Sequence, residues 1–110
     1  DELPLDPRDA ASYDPLTGEG SIAVELMTPA ASSPNLVGDE ARNLEAAILA
    51  GSPHTRFVEA ESRGFWLLEL DADRALAELH FVEGIEDPSG GAAHVEVRFE
   101  VWGGEPHFRR

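Results

Sequence analysis

Three turns in the second half of the chain constrain its fold more than any other feature. Arg63-Gly64, Asp71-Ala72-Asp73 and Asp87-Pro88-Ser89-Gly90-Gly91 each supply residues that reverse a chain. The segments they divide read as strands, at about residues 54–62, 64–70, 74–83 and 92–102. Val95, Val97, Phe99 and Val101 alternate with His94, Glu96, Arg98 and Glu100, which predicts a sheet with one wet face. Phe65-Trp66-Leu67-Leu68 is apolar on both faces, which predicts a central strand covered on both sides. If the last hairpin is centred near Pro88, Glu78 falls opposite Arg98 and His80 opposite Glu96.

The first half is organised differently. Residues 1–20 hold Pro4, Pro7 and Pro15 among Asp and Gly, a composition that forbids a regular helix and predicts an extended arm or linker. In Ser21–Met27, Ile22, Val24 and Leu26 alternate with Ala23 and Glu25, a strand pattern that Thr28-Pro29 ends. Residues 28–38 form a loop. Asp39–Ala50 predicts the one helix, with Asp39 as its cap, Leu44 and Ile48 sharing a face with Ala41 and Ala47, and Gly51-Ser52-Pro53 as its stop. The expectation is an α+β domain over residues 21–102, a mainly antiparallel sheet of about five strands with one helix. Residues 103–110 are expected to be a loose tail.

Composition removes several function classes. The formal charge of −14 over 110 residues repels phosphate backbones, so nucleic acid is not an expected partner. With no cysteine there is no disulfide, thiolate metal site or cysteine nucleophile. No apolar run approaches the length of a membrane span, and the first residues lack the basic and apolar regions of a signal peptide.

The candidate chemical residues are few. Ser32 and Ser33 sit on the loop after a strand, but no Gly-x-Ser-x-Gly elbow accompanies them, and turn-forming serines are the commoner case. His54 follows Pro53 at the helix-to-strand junction, where an imidazole can cap the helix end or reach a neighbouring site. His80 and His94, on one outer face beside Glu78 and Glu96, have the composition of a small metal site, although such pairs are mostly plain charge pairs. His107 belongs to the tail. Trp66 and Trp102 read as core or interface aromatics. Asp71 and Asp73 are accounted for by their turn, and no calcium loop or phosphate loop is present.

Several segments together resemble the C-terminal part of alkaline phosphatase D-like (PhoD-like) enzymes, which are metal-dependent phosphatases and phosphodiesterases. Gly20–Pro34 is similar to the family's strand running into a Thr-Pro-Ser-type loop, and Tyr13–Gly18 to a tract some members carry before it. Ser52-Pro53-His54-Thr55-Arg56-Phe57-Val58 is close to its Asn-Pro-His segment followed by an aromatic strand, with Ser52 in place of Asn. Arg63-Gly64-Phe65 matches an Arg-Gly-aromatic turn, and Leu68–Arg74 with Ala77–Val82 looks like the final hairpin. The match covers roughly residues 13–83 and lies in the order and spacing of the motifs; Ala30 and Ala31 thin out the polar loop.

The resemblance implies phosphoester hydrolysis at a dinuclear centre of iron and calcium in a parent enzyme with a β-sandwich. The family's Gly-Asp-x-His motif is absent, so the metal ligands would belong to an upstream catalytic segment of the same protein, and this chain alone would be non-catalytic. Thr28, Ser32, Ser33 and His54 are then the residues expected to stand next to the active site, and a periplasmic or secreted bacterial location is implied. The alternative is a stand-alone binding or assembly module that self-associates, as a homodimer, through an exposed sheet face.

Overall fold

In the computed structural model, which describes all residues except Ile85, Pro88 and Gly90, the chain forms two antiparallel sheets and one helix. Strands β1 (Glu2–Pro4) and β2 (Ser21–Val24) make the smaller sheet. Helix α1 (Asp39–Gly51) follows. Strands β3 (Gly64–Leu70), β4 (Arg74–Val82), β5 (Ala93–Trp102) and β6 (Glu105–Arg109) form the larger sheet, a meander in chain order. The fold is therefore α+β and antiparallel, as expected, but its strands divide into sheets of two and four where one sheet of about five was expected. The Asp71–Asp73 turn closes β3–β4, with Asp71 N–H donating to Arg74 O at 3.0 Å. The expected third turn includes Pro88 and Gly90, which lie outside the described residues; Asp87 Oδ1 accepts from Ser89 N–H at 2.8 Å.

One face of the larger sheet carries the core. Trp66, Leu79 and Val97 share it, as do Leu68, Ala77 and Phe99, because directly paired residues point the same way. Phe99 is the centre: its ring lies 4.8 Å from Phe108, 6.3 Å from Trp66 and 6.5 Å from Phe57. Phe57 and, from α1, Ile48 line the same cleft as Trp66, Leu79 and Phe99 of this inner face. The molecule measures 48 × 36 × 17 Å, with a radius of gyration of 15.5 Å. A compact domain of this length would have about 13 Å. The flatness follows from how little is covered: the described apolar core is Tyr13, Ala41, Ala77, Leu79, Phe81, Phe99 and Phe108.

Five expectations change. First, residues 54–62 form no strand. Their backbone groups bond elsewhere: Ala60 N–H donates to Glu45 Oε1 and Ser62 N–H to the Glu59 carboxylate, both at 2.8 Å for the shorter contact. The edge of β3 they would have joined is met by the loop after β2 instead, where Gly64 N–H donates to Ala30 O at 3.1 Å. β3 is consequently an edge strand, and Phe65, Leu67 and Leu68 are exposed rather than doubly covered.

Second, the tail is β6. Gly103-Gly104 makes a two-residue turn between Trp102 and Glu105, with Gly104 at φ +80°, and Phe108 is buried. Third, the arm is only partly an arm. Glu2–Pro4 pairs with β2, Ala10–Ser12 is a 3-10 turn capped by Asp9, and Tyr13 is buried.

Fourth, Asp39 is the first helical residue and not the cap. Gly38, at φ +61°, occupies the cap position, and Asp39 pairs with Arg42 at 2.7 Å. The less exposed helix stripe is Ala41, Glu45 and Ile48, while Leu44 and Ala47 face solvent. Fifth, a bulge between Leu79 and His80 shifts the β4–β5 register: Glu78 stays opposite Arg98, but His80 pairs with Val95 and Phe81 with His94.

Candidate functional site

The bulge decides what the strand histidines can do. His80 lies on the outer face, stacked on Phe65 with ring centroids 4.9 Å apart, and its Nε2 is 3.2 Å from Glu78 Oε2. Glu78 also pairs with Arg98, whose guanidinium is the main reason its carboxyl is held below the usual range, with His80 adding to it. His94 is carried to the inner face, edge-on to Phe81 at 6.1 Å, and its Nε2 is 3.7 Å from Glu96. The two imidazoles thus sit on opposite sides of the sheet, and the outer-face pair that a two-histidine metal site requires is not formed.

The loop residues distribute over a broad area. Thr28 is exposed, its hydroxyl donating to Pro29 O at 3.3 Å. Ser32 and Ser33 are exposed; the Ser33 carbonyl accepts from Arg63 Nε at 3.0 Å. His54 is half-buried, and its carbonyl accepts from Glu2 N–H at 2.9 Å. Thr28 lines an apolar cleft on the inner face, a space of about 240 Å³, with Met27, Ile48, Phe57, Trp66 and Phe99; Ser32, Ser33 and His54 do not line it. The four residues therefore do not converge on one point. The cleft is apolar, with Asp1, Glu25, Arg56 and Glu59 as its charged members.

The strongest polar cluster involves residues that sequence reasoning passed over. Glu2 is fully buried. Its Oε2 accepts from the Tyr13 hydroxyl at 2.5 Å, its Oε1 accepts from Phe108 N–H at 2.8 Å, and Arg56 Nε lies 3.7 Å from Oε1. A buried carboxylate is stable only when its lone pairs are bonded and a cation stands near, and all three partners are supplied. Burial, then the bond to Glu2, pushes the Tyr13 phenol up to about 12. Arg56 in turn donates to Pro15 O. The cluster ties the first strand, the 13–15 turn, the 54–58 segment and β6 together. Glu2 itself is sealed off by these bonds, while Arg56 also lines the cleft. A charged residue in a proline-rich arm carries no sequence signal for such burial.

Comparison with family models, with curated proteins and with solved structures found no match. Among the described residues, no three His, Asp or Glu side chains group as metal ligands do. Three carboxylates are bonded within their own turns and held below their usual range: Asp14 and Asp71 mainly by backbone amides, and Asp87 by the Ser89 hydroxyl and then the Ser89 amide. Among the described residues no donor set fits the iron and calcium that the resemblance implies for the parent enzyme. Among the described residues, no helix is long and apolar enough to cross a membrane.

Proposed function

We propose that this chain is a bracing segment of a PhoD-like metal-dependent phosphatase or phosphodiesterase and is not catalytic by itself. The observation that carries this reading is a set of bonds joining two of the resembling motifs. Gly64 N–H donates to Ala30 O at 3.1 Å, Arg63 Nε to Ser33 O at 3.0 Å, and Trp66 Nε1 to Met27 O at 2.9 Å. The Thr-Pro loop and the Arg-Gly-aromatic turn, far apart in sequence, are thus zipped into one ridge along the start of β3. A loop held at three points by backbone and side-chain donors is a rigid support, the kind of element that fixes neighbouring groups rather than reacting itself. The thinness of the body and its exposed leucines support the same reading, since such a sheet gains stability when another surface lies against it.

The reading is tested by incubating the purified chain with iron and calcium and a chromogenic phosphodiester. Background hydrolysis is the expected result. Turnover that a chelator abolishes, together with metal retained after gel filtration, would show a complete catalytic centre and overturn it.

A further inference from the structure

We propose that the apolar cleft on the inner face binds a small organic cation with an aromatic body, an arylalkylammonium, with its ring inside and its ammonium at Glu25. The proposal rests on the cleft alone and is independent of the bracing role. The larger sheet contributes Trp66, Phe81, Phe99 and Phe108, the segment after α1 contributes Phe57, and α1 contributes Ile48. Glu45 Oε1 accepts from Ala60 N–H at 2.8 Å and so fixes α1 against the segment that carries Phe57. The enclosed space is about 240 Å³. An apolar cavity of about 150 Å³ holds a benzene ring, so this cleft takes one aromatic ring with a short chain attached. The rings around Phe99 are tilted, Trp66 by 40° and Phe57 by 66°, and tilted rings do not cover one another's faces as stacked ones do. Such faces attract cations as well as further rings. One cation of the chain already uses them from outside the cleft: the Arg110 guanidinium stands 5.4 Å from the Phe99 ring centroid.

The sign of the ligand's charge follows from the four charged residues that line the cleft, Asp1, Glu25, Arg56 and Glu59. Arg56 is engaged elsewhere: its Nε lies 3.7 Å from the buried Glu2 carboxylate, and it donates to Pro15 O. Asp1 carries a carboxylate together with an amine that burial holds below its usual range, with Glu25 opposing the shift. That amine donates to Glu25 O at 2.8 Å. Glu59 is held by the amides of Glu61 and Ser62 and keeps its negative charge beside the aromatic wall. The Glu25 carboxylate is exposed and makes no hydrogen bond or ion pair among the described residues. It is the one lining carboxylate with a full set of free acceptors next to an apolar space. An anionic ligand would meet Glu25, Glu59 and the overall charge of −14, whereas a cation is drawn in by all three.

The probe is phenethylammonium, titrated into the isotope-labelled chain and followed by NMR, with phenethyl alcohol and hydrocinnamate as its neutral and anionic counterparts. At about pH 8 the ammonium and the carboxylates are all charged. The Trp66 indole N–H, which donates to Met27 O among the lining residues, reports occupancy of the cleft. The ammonium is expected to shift this signal with a Kd on the order of 1 mM, the range open to a ligand of so few atoms. It is expected to bind about threefold more tightly than the alcohol and about tenfold more tightly than the carboxylate, since an exposed charge pair adds only modestly. Glu25→Gln removes one exposed charge and no bond, so the fold stays intact, and most of the preference for the ammonium over the alcohol is expected to disappear. An unmoved Trp66 signal, a carboxylate that binds as well as the ammonium, or a preference that survives Glu25→Gln undiminished overturns the proposal.

Discussion

The Tyr13 hydroxyl donates to Glu2 Oε2 at 2.5 Å, and this bond closes a clasp that also holds the backbone of Phe108. Removing the hydroxyl leaves one oxygen of a buried carboxylate without its partner. Tyr13→Phe is therefore expected to destabilise the fold by about 1–3 kcal/mol, measured by urea unfolding. The loss should appear as a lower midpoint at unchanged slope.

The same phenol sets the alkaline limit of stability. Its value rises from about 10 in the unfolded chain to about 12 in the folded one, mainly through burial. A group raised in the folded state contributes stability that is whole below its unfolded value and is lost as pH climbs through the folded value. Stability is expected to fall between about pH 10 and 12, by on the order of 2 kcal/mol. Tyr13 is the one tyrosine in the sequence, so ultraviolet titration reads it directly. A folded-state midpoint near 10 would remove this contribution.

Glu78 behaves oppositely. Arg98, and then His80, hold its carboxyl below the usual range. Its contribution is present above the unfolded carboxylate value and is lost on acidification below about pH 4. Replacing Arg98 with Ala is expected to raise the Glu78 midpoint in a carbon-detected NMR titration while changing stability little, because Arg98 is largely solvent-exposed.

Gly104 tests the turn that makes β6. Its φ of +80° is left-handed, and a Cβ there would meet nothing within 4 Å. Gly104→Ala therefore reports conformational strain alone, expected at about 1–2 kcal/mol. Amide exchange should quicken first in β6 and in Phe108 N–H.

The larger sheet was legible because its turns are spelled out. Asp71-Ala72-Asp73 sets the β3–β4 register, and the Glu78–Arg98 pairing follows from the hairpin spacing. Gly103-Gly104 is an equally plain turn signal, but the strand after it is short, contains Pro106 and shows little alternation. The bulge at His80 had no sequence mark, and it moves His94 to the other face, which undoes any pairing of the two histidines. The 54–62 segment has strand composition, yet Glu45 and Glu59 bind its amides first. The Glu2 clasp depends on contacts between residues up to 106 positions apart, which no local pattern encodes.

The most direct test of the bracing role is complementation. A PhoD-like enzyme lacking its own C-terminal region, the part that residues 13–83 resemble, would be assayed for phosphodiester hydrolysis with and without this chain. The account predicts low activity that rises when the chain is added and falls back when Arg63→Ala loosens the ridge. An enzyme body that binds none of the chain and gains no activity from it would contradict the account.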